Sequence, residues 1–106
     1  GIGTLIFDEI DAGVGGATAA AIGERLHRLA QNVQVLAVTH SPQVAASADA
    51  HLRIGKLTRN GQTVTHATPL TDTERNEEIA RMLAGDTVTD AARAAAASLL
   101  GHDNNA

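Results

Sequence analysis

No cysteine, tryptophan or tyrosine occurs among the 106 residues, and Phe7 is the only aromatic side chain of its kind. Without cysteine there can be neither a disulfide framework nor a thiolate metal site. Alanine fills about a fifth of the positions, so any core must be built from small side chains. At roughly 25 cal/mol per Å² of buried apolar surface, such a core contributes weakly against a backbone ordering cost of about 1–2 kcal/mol per residue. The sequence therefore reads as able to form secondary structure but marginal alone, part of a larger core. Its apolar runs fall far short of the roughly 18 residues of a spanning helix, and no basic-plus-apolar leader opens it. Membrane and secreted classes are excluded on that reading, and a soluble intracellular protein is the expectation. Eight Lys and Arg against twelve Asp and Glu leave a net charge of −4. That balance argues against a broad nucleic-acid-binding surface, which needs clustered cations to neutralise phosphates. The length fits one domain or a piece of one.

Two short apolar runs are β-branched-rich and bounded by polar residues, Thr4 to Phe7 and Val33 to Val38, and both read as buried strands. Between them, from about Ala17 to Ala30, Ile22, Leu26 and Leu29 recur at helical spacing. Strand, helix, strand with short joints defines a βαβ unit with parallel strands and a right-handed crossover. Pro42 to Ala48 adds one or two helical turns. His51 to Leu57 and Thr63 to Thr68 flank Asn60-Gly61, a hairpin signal. Thr71-Asp72-Thr73-Glu74 matches a capping box ahead of Ile79, Met82 and Leu83, with Gly85 as the stop. Thr89 opens a last alanine-rich helix, slim enough for close packing, that ends near Gly101. The fold class is thus α/β: βαβ parallel strands, a β-hairpin and two C-terminal helices. Residues 1–101 form one unit and 102–106 a polar tail.

The carboxyl ends of parallel strands are where α/β sheets place ligands. One such end presents Asp8, Glu9 and Asp11; the other presents Thr39, His40 and Ser41. Asp8 and His40 are 32 positions apart, about one βαβ unit, so the two ends can lie side by side. Neighbouring carboxylates suit a hard divalent cation such as Mg²⁺ holding phosphates. One carboxylate can serve the metal while the other activates a water, and His40 can reach a phosphoryl oxygen. Taken singly, the acids could be a solvated loop and His40 a capping residue; the combination favours the site. His51, Arg53, Lys56 and Arg59 make the hairpin the densest positive patch. At net −4 it reads as a solvated edge that discourages strand pairing rather than a DNA contact. Arg75, Arg81 and Arg93 read as solvated faces or helical ion pairs. Met82 reads as core filling, and His27, His66 and His102 show no metal-ligand spacing.

Thr4-Leu-Ile-Phe-Asp8-Glu9 resembles the Walker B strand of ABC-type ATPases, and Thr39-His40-Ser41 resembles their histidine loop. The strings Asp8-Glu-Ile-Asp-Ala-Gly-Val-Gly-Gly16 and Val35-Leu-Ala-Val-Thr-His-Ser-Pro-Gln-Val-Ala45 are similar to the C-terminal end of the RecN family. These are SMC-like ABC ATPases of bacterial DNA double-strand-break repair and recombination, and the later helical segments share the resemblance. It implies ATP and Mg²⁺ as cofactors, with Asp8 positioning the metal, partly through water. Glu9 would activate the attacking water and His40 would sense the γ-phosphate. Asp11, Gly13, Gly15 and Gly16 would occupy the loop facing a second head, with Thr39 and Ser41 beside the nucleotide. Related ATPases usually have aspartate where Gly15 stands. Implied partners are the half of the head carrying the phosphate loop, a second head in a homodimer, and DNA through the complete protein, in the bacterial cytoplasm at the nucleoid.

No phosphate-cradling Gly-x-x-x-x-Gly-Lys-Ser/Thr segment is present. The only Gly-Lys pair, Gly55-Lys56, is followed by Leu57 and has Ala50 where the first glycine belongs. A Leu-Ser-Gly-Gly-type signature is also missing. The expectation is the C-terminal lobe of an ATPase head, holding half of a composite site and inactive alone. The rival readings are a non-catalytic interaction module with a degenerate head fold and a DExD helicase-like NTPase fragment.

Overall fold

The computed structural model describes residues 3–85 and 87–101. The polar tail 102–106, with His102, lies outside the described residues. In chain order the elements are β1 (Thr4–Asp8), α1 (Gly16–Leu29), β2 (Gln34–Val38), α2 (Pro42–Ala46), β3 (Leu52–Arg59), β4 (Gln62–Pro69), α3 (Asp72–Ala84) and α4 (Asp90–Leu99). β1 and β2 pair in parallel, Thr4 opposite Gln34 through Asp8 opposite Val38. The α1 connection between them completes the expected βαβ unit.

β3 and β4 form a separate antiparallel hairpin, Leu52 opposite Pro69 through Arg59 opposite Gln62. At its tip Asn60 (φ 51°) and Gly61 (φ 77°) both lie in the left-handed region. That conformation suits the right-handed twist of the flanking strands, which is why an Asn-Gly pair stands there. The capping box of α3 forms as its sequence dictates: Glu74 N donates to Thr71 Oγ1 at 3.2 Å, and Thr71 N donates to Glu74 Oε1 at 2.9 Å. Gly85 closes the helix at φ 82°.

The core sits between α2, α3 and α4. Ile79, Ala80 and Ala96 are fully buried, Ala45 and Ala92 nearly so, with Met82, Val88 and Leu100 packed around them. Ile79 is the one large side chain at its centre, and the slim alanine face of α4 lets that helix approach it. On α1 the buried residues are the small Ala19 and Gly23, and Gly23 lies close against α2. A Cβ there would stand 2.3 Å from Ser47 Oγ and 3.2 Å from the Gln43 carbonyl.

The parallel strands are not buried. Ile6 is 69% exposed and Val38 51%, and of the ten strand residues only Phe7 and Val35 are partly covered. The apolar strand pattern is real, but the faces of a parallel sheet are covered by elements packed on them, and the described residues leave both faces of this pair largely open. Arg75 also differs from its expected solvated position. Its Nη2 donates to the carbonyls of Ala45 (3.0 Å), Ala46 (3.4 Å) and Ala48, at the end of α2. The guanidinium thereby adds a charged donor to carbonyls at the end of the short helix, of which that of Ala45 also accepts from Ala48 N at 3.3 Å.

Candidate functional site

The site forms where β1 and β2 end. Glu9 N donates to Val38 O at 2.8 Å, extending the parallel pairing one residue past β1. The backbone then turns through a left-handed Glu9 (φ 52°) and a left-handed Gly13 (φ 78°). For a residue with a Cβ, this conformation costs roughly 1–2 kcal/mol. The turn is held by Ala12 N donating to Glu9 O at 3.1 Å and Val14 N to Asp11 O at 3.4 Å. It aims the Glu9 side chain across to the next strand, where Glu9 Oε1 meets His40 Nε2 at 2.9 Å. Both side chains remain open to solvent, His40 almost wholly.

A second link lies deeper. The Asp11 carboxylate is buried and accepts the Thr39 hydroxyl proton. Thr39 Oγ1 in turn accepts from Ser41 N at 2.9 Å. Ser41 then caps α2, its Oγ accepting from Val44 N at 3.3 Å and donating to Gln43 Oε1 at 3.0 Å. The loop after β1 and the loop after β2 are therefore joined by two side-chain bridges, one exposed and one buried.

Together these residues border an open cleft of about 220 Å³ lined by Glu9, Asp11, Ala12, Gly13, Val14, His40 and Ser41. Of the residues expected at the site, Glu9, Asp11, Gly13, His40 and Ser41 meet at this cleft, and Thr39 lies behind it through Asp11. Asp8 sits at the exposed end of β1, outside the cleft lining. Gly15 and Gly16 lie at the start of α1, where Gly15 is the N-cap in ordinary extended backbone (φ −76°) without a side-chain cap. Nothing lies within 4 Å of a Cβ built there, so the fold does not itself require glycine at position 15. Ala12, Val14 and Gln43 belong to the neighbourhood without having been singled out. Gln43 had a usable signal, two residues beyond Ser41 in a Ser-Pro-Gln start to a helix.

Among the described residues no group of three or more His, Asp or Glu side chains converges as a metal cage. Mg²⁺ keeps several waters and commonly takes one or two carboxylates plus substrate phosphates. An exposed Asp8 at the strand end fits that donor requirement.

The class of fold is shown by a solved structure. The chain matches one from "Structural biochemistry of ATP-driven dimerization and DNA stimulated activation of SMC ATPases" with a TM-score of 0.61 and 20% identity. The match covers 79% of this chain and 50% of that one. The fold is thus α/β, similar to that of an SMC ATPase.

In sequence, the chain is 48% identical over 97 residues to the DNA repair protein RecN of Bacillus subtilis. It is 54% identical over 84 residues to RecN of Deinococcus radiodurans, and 53% identical over 97 residues to RecN of Mycobacterium bovis. These alignments take in 92%, 79% and 92% of this chain and 17%, 15% and 16% of the relatives. The chain is similar in sequence to a segment of these RecN proteins and spans about a sixth of the length of the curated relatives it matches. No family model matches it. Among the described residues, no helix is long and apolar enough to cross a membrane.

Proposed function

We propose that the chain is the Walker B and histidine-loop part of an ATP-hydrolysing head, from the C-terminal portion of a RecN-type DNA repair protein. The observation that carries this reading is the Glu9–His40 contact of 2.9 Å across the ends of adjacent parallel strands. Phosphoryl transfer is catalysed mainly by positioning and electrostatic stabilisation. A carboxylate and an imidazole at one strand edge offer a base for the attacking water and a donor for a phosphoryl oxygen. Glu9 would be the base: its carboxylate would take the proton of the water as the water oxygen bonds the γ-phosphorus and the bond to the β–γ bridging oxygen breaks, releasing ADP. His40 holds the Glu9 carboxylate in place through its Nε2, and with nucleotide bound that ring nitrogen would turn to donate to a γ-phosphate oxygen instead. Asp8 would hold Mg²⁺, which when bound neutralises charge on the β- and γ-phosphates. Asp11 and Thr39 keep the two loops in register. Gly13, Gly15 and Gly16 leave the loop before α1 without side chains where a second head would approach.

The chain lacks a phosphate-binding loop of its own, so ATP turnover requires the half of the head that carries one. Mg²⁺-dependent ATP hydrolysis by the chain alone and with that half co-expressed is the test. Turnover is expected only in the combined preparation, and Glu9→Gln should lower it by roughly 10²–10⁴-fold, the scale of general-base loss, while ATP binding persists. Undiminished turnover in Glu9→Gln removes Glu9 from the base role. Silence from both folded preparations favours a non-catalytic interaction module.

A further inference from the structure

The hairpin concentrates charge that the rest of the chain lacks. Residues 52–69 contain Arg53, Lys56 and Arg59, three of the eight Lys and Arg, and none of the twelve acids. The hairpin is therefore +3, while the other residues sum to −7. On α1, α3 and α4, Arg28, Arg81 and Arg93 are each engaged by a carboxylate, and Arg75 by carbonyls. Among the described residues none of the three hairpin cations makes such a pair, nor does the exposed Arg25 of α1, although Arg53 feels the charge of Glu74. Among the described residues both strands pair only with each other, and every residue of β4 is exposed.

The register sorts the side chains. Lys56 stands opposite Thr65 and Thr58 opposite Thr63, so one cation and three hydroxyls share one face of the outer hairpin. Arg59, opposite Gln62, takes the other face beside the tip. Of the large apolar residues, Leu52 and Ile54 lie toward the base, while Leu57 and Val64 stand opposite each other on the Arg59 face of the outer half. Lys, Arg and Thr side chains are groups that contact DNA phosphates, and a two-stranded ribbon is narrow enough for the major groove.

We propose that the outer half of the β3–β4 hairpin, through Lys56, Arg59 and the threonines around them, is an arm that contacts the phosphate backbone of duplex DNA. The inference rests on the DNA-repair reading above and names the surface that would serve it. Edge protection accounts for cations on a strand, lysine above all, but it does not call for the complete absence of acids from residues 52–69, which a phosphate contact favours.

The test uses the full-length protein carrying Lys56→Gln and Arg59→Gln. Binding to a short fluorescein-labelled DNA duplex is followed by anisotropy across a salt series. The double variant is expected to lose about tenfold in affinity, and the slope of log K against log salt should fall by about 2, near one unit per phosphate contact. Arg25→Gln, which removes an exposed cation of α1, should leave the slope unchanged. The charge-keeping pair Lys56→Arg and Arg59→Lys should retain it. Parental affinity and slope in the double variant, or an equal loss in Arg25→Gln, overturns the proposal. ATP turnover without DNA, measured in the parent and the double variant, should be the same. Its absence from the parent overturns the ATPase reading and leaves the anisotropy series to judge the arm.

Discussion

Gly23 is the sharpest point at which the packing can be tested, because two opposed effects meet there with known signs. Gly23 lies in the interior of α1, where alanine normally gains about 1 kcal/mol over glycine. Here the added Cβ would stand 2.3 Å from Ser47 Oγ, 3.0 Å from Ser47 Cβ and 3.2 Å from the backbone oxygen of Gln43. Rotating the hydroxyl away would sacrifice its 3.0 Å bond to the Gln43 carbonyl, about 1 kcal/mol. The Cβ and carbonyl contacts would remain, so α1 and α2 would have to separate, an overpacking cost of roughly 1–3 kcal/mol. Gly23→Ala should therefore destabilise the fold by about 1–3 kcal/mol net. Urea unfolding followed by helical ellipticity reads this directly. Ser47→Gly removes the two nearest obstructing atoms, so the double variant should recover most of the loss, and a double-mutant cycle should show strong coupling. A Gly23→Ala protein that gains stability, as an open helical site would, refutes the close approach of α1 and α2.

Two further outcomes follow from groups packed beside α2. Arg75→Met keeps the apolar stem but leaves the α2 carbonyls without their charged donor, and should cost about 2 kcal/mol in urea unfolding; an unchanged midpoint removes Arg75 from that role. His51 has its pKa held below the ordinary 6.5, first by burial and then by the nearby Arg75 guanidinium, with Glu78 opposing. The native state thus favours the neutral ring, so this contribution is complete above pH 6.5 and is lost as pH falls through the lowered value. Stability measured between pH 7 and 5 should fall, and His51→Gln should flatten that limb.

What could be read from the residues was whatever short-range patterning encodes. Asn60-Gly61 fixes its turn through its own backbone preferences, and Thr71 with Glu74 caps α3 from within four positions. The α/β order and the adjacency of the strand ends that carry Glu9 and His40 were also legible, because a βαβ unit places the ends of its strands side by side; their direct contact emerged only in the structure. Burial of β1 and β2 was not. Leu5, Ile6, Leu36 and Val38 carry the pattern of a covered strand, but coverage depends on which other strands are present, and these four side chains are substantially exposed. The role of Arg75 was hidden for a different reason. Its carbonyl partners lie 27 to 30 positions earlier in the chain, and no local spacing announces a contact of that range. The buried Asp11–Thr39 bridge was half visible: both residues drew attention as neighbours of a ligand, while their contact with each other emerged only in three dimensions.

With Glu9 as the proposed base, its left-handed backbone would set protein stability against chemistry at a single position. A glycine there would relax the turn at no steric cost, yet it would leave His40 without its carboxylate. Selection for a firmer fold alone would drift toward residues that tolerate this conformation, and selection for turnover would hold a glutamate in it. A panel of variants at position 9 ranked by melting temperature should then run counter to the same panel ranked by turnover. That opposition sets a structural glutamate apart from a working one, since a glutamate placed for stability would lead both rankings.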